Sequence, residues 1–95
     1  MGFMKRFMAL VEGYGFELID DGKPICGFFV TRAVGASSEP EAARKVLALV
    51  AAEWESGAKR GYGVRPKIRV SEMREVSIIE SWRRGRGGYV FHSAE

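Results

Sequence analysis

An α+β domain, with an antiparallel sheet of about four strands in the order β-β-α-β-β and one main helix packed on a face, is what this sequence predicts. Three observations carry the prediction. A strong helical period runs over residues 39–56, extended runs rich in aromatic and β-branched residues flank it, and turn chemistry marks Asp21-Gly22 and the glycine-rich stretch 85–88. Ninety-five residues make one domain, 1–95, with a single core of modest size.

Phe3 to Glu12 alternates, and both of its faces turn apolar toward the middle, so it reads as a strand covered on both sides near its centre or lying at a subunit contact. Gly13-Tyr14-Gly15 interrupts it as a bulge or a turn before Phe16-Glu17-Leu18-Ile19 resumes an extended run. In Asp20-Asp21-Gly22-Lys23-Pro24, Asp-Gly favours a type I′ turn, which needs positive φ at both central residues. Ile25 to Ala36 follows as the expected central strand. Its alternation sets Phe28, Val30, Arg32 and Val34 on one face. Arg32 there either pairs with an acid such as Glu12 or Glu17, or anchors an anion; pairing is preferred, because a buried arginine needs a partner but not a ligand.

Ser38 with Glu41 three residues on forms a capping box, Pro40 sits in the first turn where its missing N–H costs nothing, and Glu39 and Glu41 face the positive end of the helix dipole. Ala43, Leu47, Val50 and Trp54, flanked by Val46 and Leu49, make the apolar stripe. Arg44, Lys45, Glu53 and Glu55 take the other side, with Glu41–Lys45 as an i,i+4 pair and Ser56-Gly57 as the stop. One helix near 39–56 is expected.

The run Gly27-Phe28-Phe29-Val30-Thr31-Arg32-Ala33-Val34-Gly35-Ala36, with Ser38-Glu39-Pro40-Glu41-Ala42, resembles a G-F-[FY]-x-T-R-x-V-x-A strand followed by an E-A helix in a family of small uncharacterised bacterial proteins. That resemblance covers the middle third of the chain and implies a strand–helix unit without a known activity. A looser similarity is to antitoxins of the HicB type, from which the chain departs in lacking the Pro-Gly-Cys segment usual between their strands.

Ala58 to Arg65 is a loop, and Gly61-Tyr62-Gly63 has no phosphate-loop spacing. A strand begins at Pro66 and alternates to Ser71. Glu72, Met73 and Arg74 disturb the alternation and Val76-Ser77-Ile78 restores it, so residues 66–78 read as one strand with a bulge or as two short strands, with a helix as the lesser alternative. Ser81 to Gly88 reads as a hairpin tip leading into a last strand, Tyr89-Val90-Phe91-His92.

Charge is uneven. Residues 1–56 carry six basic and eight acidic side chains, a net of −2, and residues 57–95 carry nine and four, a net of +5. The basic half hints at an anionic partner, and Arg83, Arg84 and Arg86 beside Trp82 and Tyr89 have the ingredients of a single-stranded nucleic-acid platform; they also suit a solvated turn. Arg32 joins these as a candidate anion contact. The one cysteine, Cys26, excludes an internal disulfide and fits a reducing compartment, so a cytoplasmic protein is expected. The N-terminus lacks a signal-peptide core, and no run is long enough to span a bilayer. No membrane partner is therefore expected.

No catalytic, cofactor or metal motif is present, and the lone His92 has no partner at a recognised spacing. The expectation is a non-enzymatic interaction domain without a cofactor, a homodimer lined by Phe3, Met4, Phe7 and Met8, with an unidentified protein as a further partner. The alternative is weak RNA or single-stranded DNA binding through segments 59–69 and 83–91. A small enzyme or sensor using Arg32 with His92 or Tyr62 has only residue types behind it.

Overall fold

The computed structural model describes residues 4–57, 65–84 and 87–93. Its elements are β1 (Lys5–Tyr14), β2 (Leu18–Asp20), β3 (Lys23–Ala36), α1 (Glu39–Ser56), β4 (Lys67–Val76), α2 (Ile78–Arg84) and β5 (Val90–Ser93). The fold is α+β: a five-stranded antiparallel sheet, two helices, and the main helix α1 packed against the sheet.

Every strand pairing is antiparallel, and the five strands form four rows. Phe28 and Phe29 pair with β1 on one edge of β3 and with β5 on the other, while Ile25 pairs with both β5 and β2. So β1 and β2 lie along the same edge of β3, in one row broken where residues 14–17 face only residues 26–27. The rows run β4-β1-β3-β5. Fourteen residues of β3 at about 3.3 Å each span about 46 Å, which accounts for the 49 Å long axis. At the hairpin tip Asp21 and Gly22 have φ of 54° and 76°, the type I′ pattern expected from Asp-Gly.

The Gly-Tyr-Gly interruption has a packing cause. A Cβ on Gly13 would stand 2.1 Å from the Phe28 ring, which lies across the β1 backbone at its register partner. The strand therefore runs through Gly13 to Tyr14, and the break comes at Gly15, where φ is +75°.

Phe7, Ala9 and Val11 of β1 and Phe28, Val30 and Val34 of β3 face α1. The helix has the expected bounds, but its buried residues are Ala42, Val46, Val50 and Trp54, one position round from a stripe begun at Ala43, and Leu49 is exposed. That rotation moves Glu53 off the solvent side to the margin of the core. Ser38 accepts from the Glu41 N–H at 3.4 Å as the capping box requires, but the Glu41 carboxylate returns to Ser37, whose hydroxyl donates to it at 2.5 Å. That contact and the Lys45 ammonium, 3.2 Å away, hold the Glu41 carboxyl below its usual range. Around Trp54 the rings close up: Phe28 stacks on it at 5.1 Å and Phe16 meets it edge-on at 5.5 Å. Aromatic burial of this kind contributes about 1.5–3 kcal/mol per ring from area alone.

Residues 67–76 form a single strand whose register slips between Leu10 and Val11, leaving Ser71 without a partner in β1. The slip puts Val70 and Met73, three apart, on the same face toward α1.

Two expectations are corrected. The segment read as the tip of a hairpin, from Ser81 onward, is helical as far as Arg84, capped by Ser77, whose hydroxyl accepts the Glu80 N–H at 3.1 Å. Phe7 and Met8, expected at a subunit contact, are buried within the chain; Phe3 lies outside the described residues.

Candidate functional site

Arg32 points from β3 toward the C-terminal half of α1. Its Nε donates to both Glu53 oxygens at 3.0 and 3.1 Å, and its Nη1 donates to the Thr31 carbonyl at 2.8 Å and to the Gly87 carbonyl. Glu53 is thus its partner, in place of the Glu12 or Glu17 expected from sequence; Glu12 binds Arg69 at 2.6 Å. Alternation set Arg32 on the helix-facing side, where Glu53 of α1 meets it.

Tyr89 completes this latch. Its hydroxyl donates to Glu53 at 2.9 Å, and its ring lies 5.6 Å from the Arg32 guanidinium carbon. Burial, and then the bond to Glu53, raise the Tyr89 phenol well above its usual value, so it stays protonated and donates a hydrogen bond to the carboxylate. The Tyr89 ring also packs on Phe28 at 5.0 Å. Arg32 is thus paired within the chain, and Tyr89 packs between it and the core. Their joint work is to tie residues 87–89 to α1.

The remaining platform residues separate from Tyr89. Trp82, Arg83 and Arg84 are exposed on α2, while Arg86 lies outside the described residues. Within the basic segment 59–69, Arg69 is held by Glu12 and lies 5.0 Å from the Tyr14 ring, and residues 59–64 lie outside the described residues. Arg74 binds Glu80, which raises the arginine and lowers the carboxyl from their ordinary values and fastens α2 to β4.

One juxtaposition had no signal in the sequence. The single cysteine and the single histidine meet where β5 joins β3: Cys26 Sγ lies 3.9 Å from His92 Nδ1 and 4.0 Å from the His92 carbonyl. The register slips here between Ile25 and Gly27, and the imidazole sits over Gly27, where a Cβ would come within 2.2 Å of the ring. His92 Nε2 is buried without a hydrogen-bond partner. Among the described residues, no three His, Cys, Asp or Glu side chains converge as metal ligands.

No protein-family model matches the chain, and neither does any curated protein or solved structure.

On the face of the sheet away from α1, Met8, Leu10 and Thr31 floor a shallow depression of about 510 Å³, edged by Glu72 and Arg74 of β4. Leu10 and Thr31 are half-buried there.

Proposed function

We propose that this chain is a non-enzymatic interaction domain that works as a homodimer, with the open face of the sheet as its contact surface. The observation that supports the reading is the depression around Leu10 and Thr31, on the face that the main helix α1 does not cover. An antiparallel sheet tolerates one wet face when that face is polar. Here its centre holds the half-buried Leu10. The internal pairing of Arg32, Glu53 and Tyr89 favours binding over chemistry.

Sedimentation equilibrium at micromolar concentration tests this. Wild type is expected at twice the chain mass, and Leu10→Glu, which sets a charge in the contact, at the chain mass with its circular dichroism retained. A wild-type mass of one chain, unchanged with concentration, would refute the homodimer.

A further inference from the structure

A second surface, on the helix α2 that Arg6 anchors at one end of that same open sheet face, has a chemistry of its own. The inner side of α2 is fixed: Ser81 is buried and accepts from Arg6 Nε at 3.2 Å and Nη2 at 3.0 Å, while Glu80 is tied to Arg74. What this anchoring turns outward is apolar. Ile78, Ile79 and Trp82 are 69%, 67% and 76% exposed, on a helix of seven residues, and the exposed Arg83 and Arg84 follow directly. Met4, also exposed, lies beside Arg6, with its sulfur and the guanidinium both against Gly35.

We propose that α2 docks the protein on an anionic lipid surface, with Ile78, Ile79 and Trp82 entering the headgroup–acyl boundary and Arg83 and Arg84 binding lipid phosphates. Charge complementarity selects this partner. The patch sets two adjacent cations beside three exposed apolar side chains, so its partner must be both apolar and anionic. A second copy of the same patch would bring arginines against arginines. Nucleic acid would use the Trp82 ring and the cations, but it leaves two isoleucines in water, since they neither stack on bases nor bond them. A bilayer interface uses all five: aliphatic chains enter the acyl boundary, tryptophan settles at headgroup depth, and arginines reach back to the phosphates. No described helix is long and apolar enough to cross a membrane, and the contact is peripheral. The lack of a spanning run, on which the sequence expectation of no membrane partner rested, does not bear on a surface contact.

The two tryptophans supply the readout, because Trp54 is buried in the core and Trp82 is exposed. Mixing the full chain with phosphatidylglycerol vesicles should shift its emission to the blue and carry it with the vesicles on flotation, whereas phosphatidylcholine vesicles should do neither. Trp82→Phe should remove the shift and keep partial flotation. Arg83→Ser/Arg84→Ser should weaken binding about 25-fold, at about fivefold per cation near an anionic surface, and Ile78→Ser/Ile79→Ser should abolish flotation. These side chains are exposed, and far-UV circular dichroism checks that each variant folds. Absence of both shift and flotation with phosphatidylglycerol overturns the proposal, as does binding that survives Ile78→Ser/Ile79→Ser. Equal perturbation of Trp82 by oligouridylate, insensitive to the isoleucine substitutions, would reassign the surface to nucleic acid.

Discussion

Replacing Glu53 by alanine is expected to destabilise the protein far more than a helix-surface substitution does. The carboxylate accepts two bonds from Arg32 Nε and one from Tyr89, and the Arg32 side chain it neutralises is only 15% exposed. Losing charge-assisted bonds costs about 1.5–3 kcal/mol, and leaving the Tyr89 hydroxyl unpaired adds about 1–3. Breaking a fully buried pair from one side costs about 3–5 kcal/mol. Glu53 itself is 31% exposed, so water can re-enter toward the guanidinium and the expected cost drops below the fully buried case, to about 2–4 kcal/mol. Urea unfolding followed by circular dichroism reads this as a midpoint lowered by roughly 1–2 M, with the slope of a small domain. Arg32→Met together with Glu53→Met should lose less than Glu53→Ala alone, because no buried charge is left uncompensated. A loss for Glu53→Ala below about 0.5 kcal/mol, the surface range, would refute the latch. Strict additivity of Arg32→Met and Glu53→Met in a double-mutant cycle would refute it as well.

Trp54→Ala, which empties the ring cluster against Phe16 and Phe28, should cost about 3–5 kcal/mol in the same unfolding assay; a loss within the surface range would mean the cluster is not a core. Gly13→Ala places a methyl group into the fully buried Phe28 ring, and a lowered thermal midpoint corresponding to about 1–3 kcal/mol is expected; a midpoint at or above wild type would show that the ring does not cross β1 there. Because the folded state raises the Tyr89 phenol, it holds that proton more tightly than the unfolded chain does. The resulting stability is intact below the ordinary phenol value, about pH 10, and falls as pH rises through and beyond it. Tyr89→Phe should therefore be less stable than wild type at pH 8 and lose less between pH 9.5 and 11, and parallel alkaline profiles would contradict the raised phenol.

Much of the fold is legible in short stretches of sequence, because the signals concerned act between close neighbours. The N-terminus of α1 follows from Ser38, Pro40 and Glu41, its end from Ser56-Gly57, and the hairpin tip from Asp21-Gly22, where two positive φ values demand those residue types. The bulge in β4 shows as broken alternation at Glu72 to Arg74. The helix α2 also carries a local signal, Ser77 and Glu80 spaced as a capping box, but Ile78-Ile79 and the following glycines point instead to strand and turn. A seven-residue helix is too short to hold itself. What holds it is Arg6, 75 residues away in sequence, together with the Arg74–Glu80 pair.

The candidate sites depended on longer distances. Alternation placed Arg32 on a face, but its acid depended on the rotation of α1, and one position of difference in the stripe carried Glu53 from solvent to the guanidinium. Cys26 and His92, 66 residues apart, meet only through the register of β5 on β3, and the exposure of Ile78, Ile79 and Trp82 follows from which side of α2 is pinned. Caps and turns are decided by backbone geometry within a few residues, and the sequence determined them by itself. Partners across the sheet depend on register and helix rotation, which the summed packing of the whole core fixes, so they were settled only in the tertiary structure.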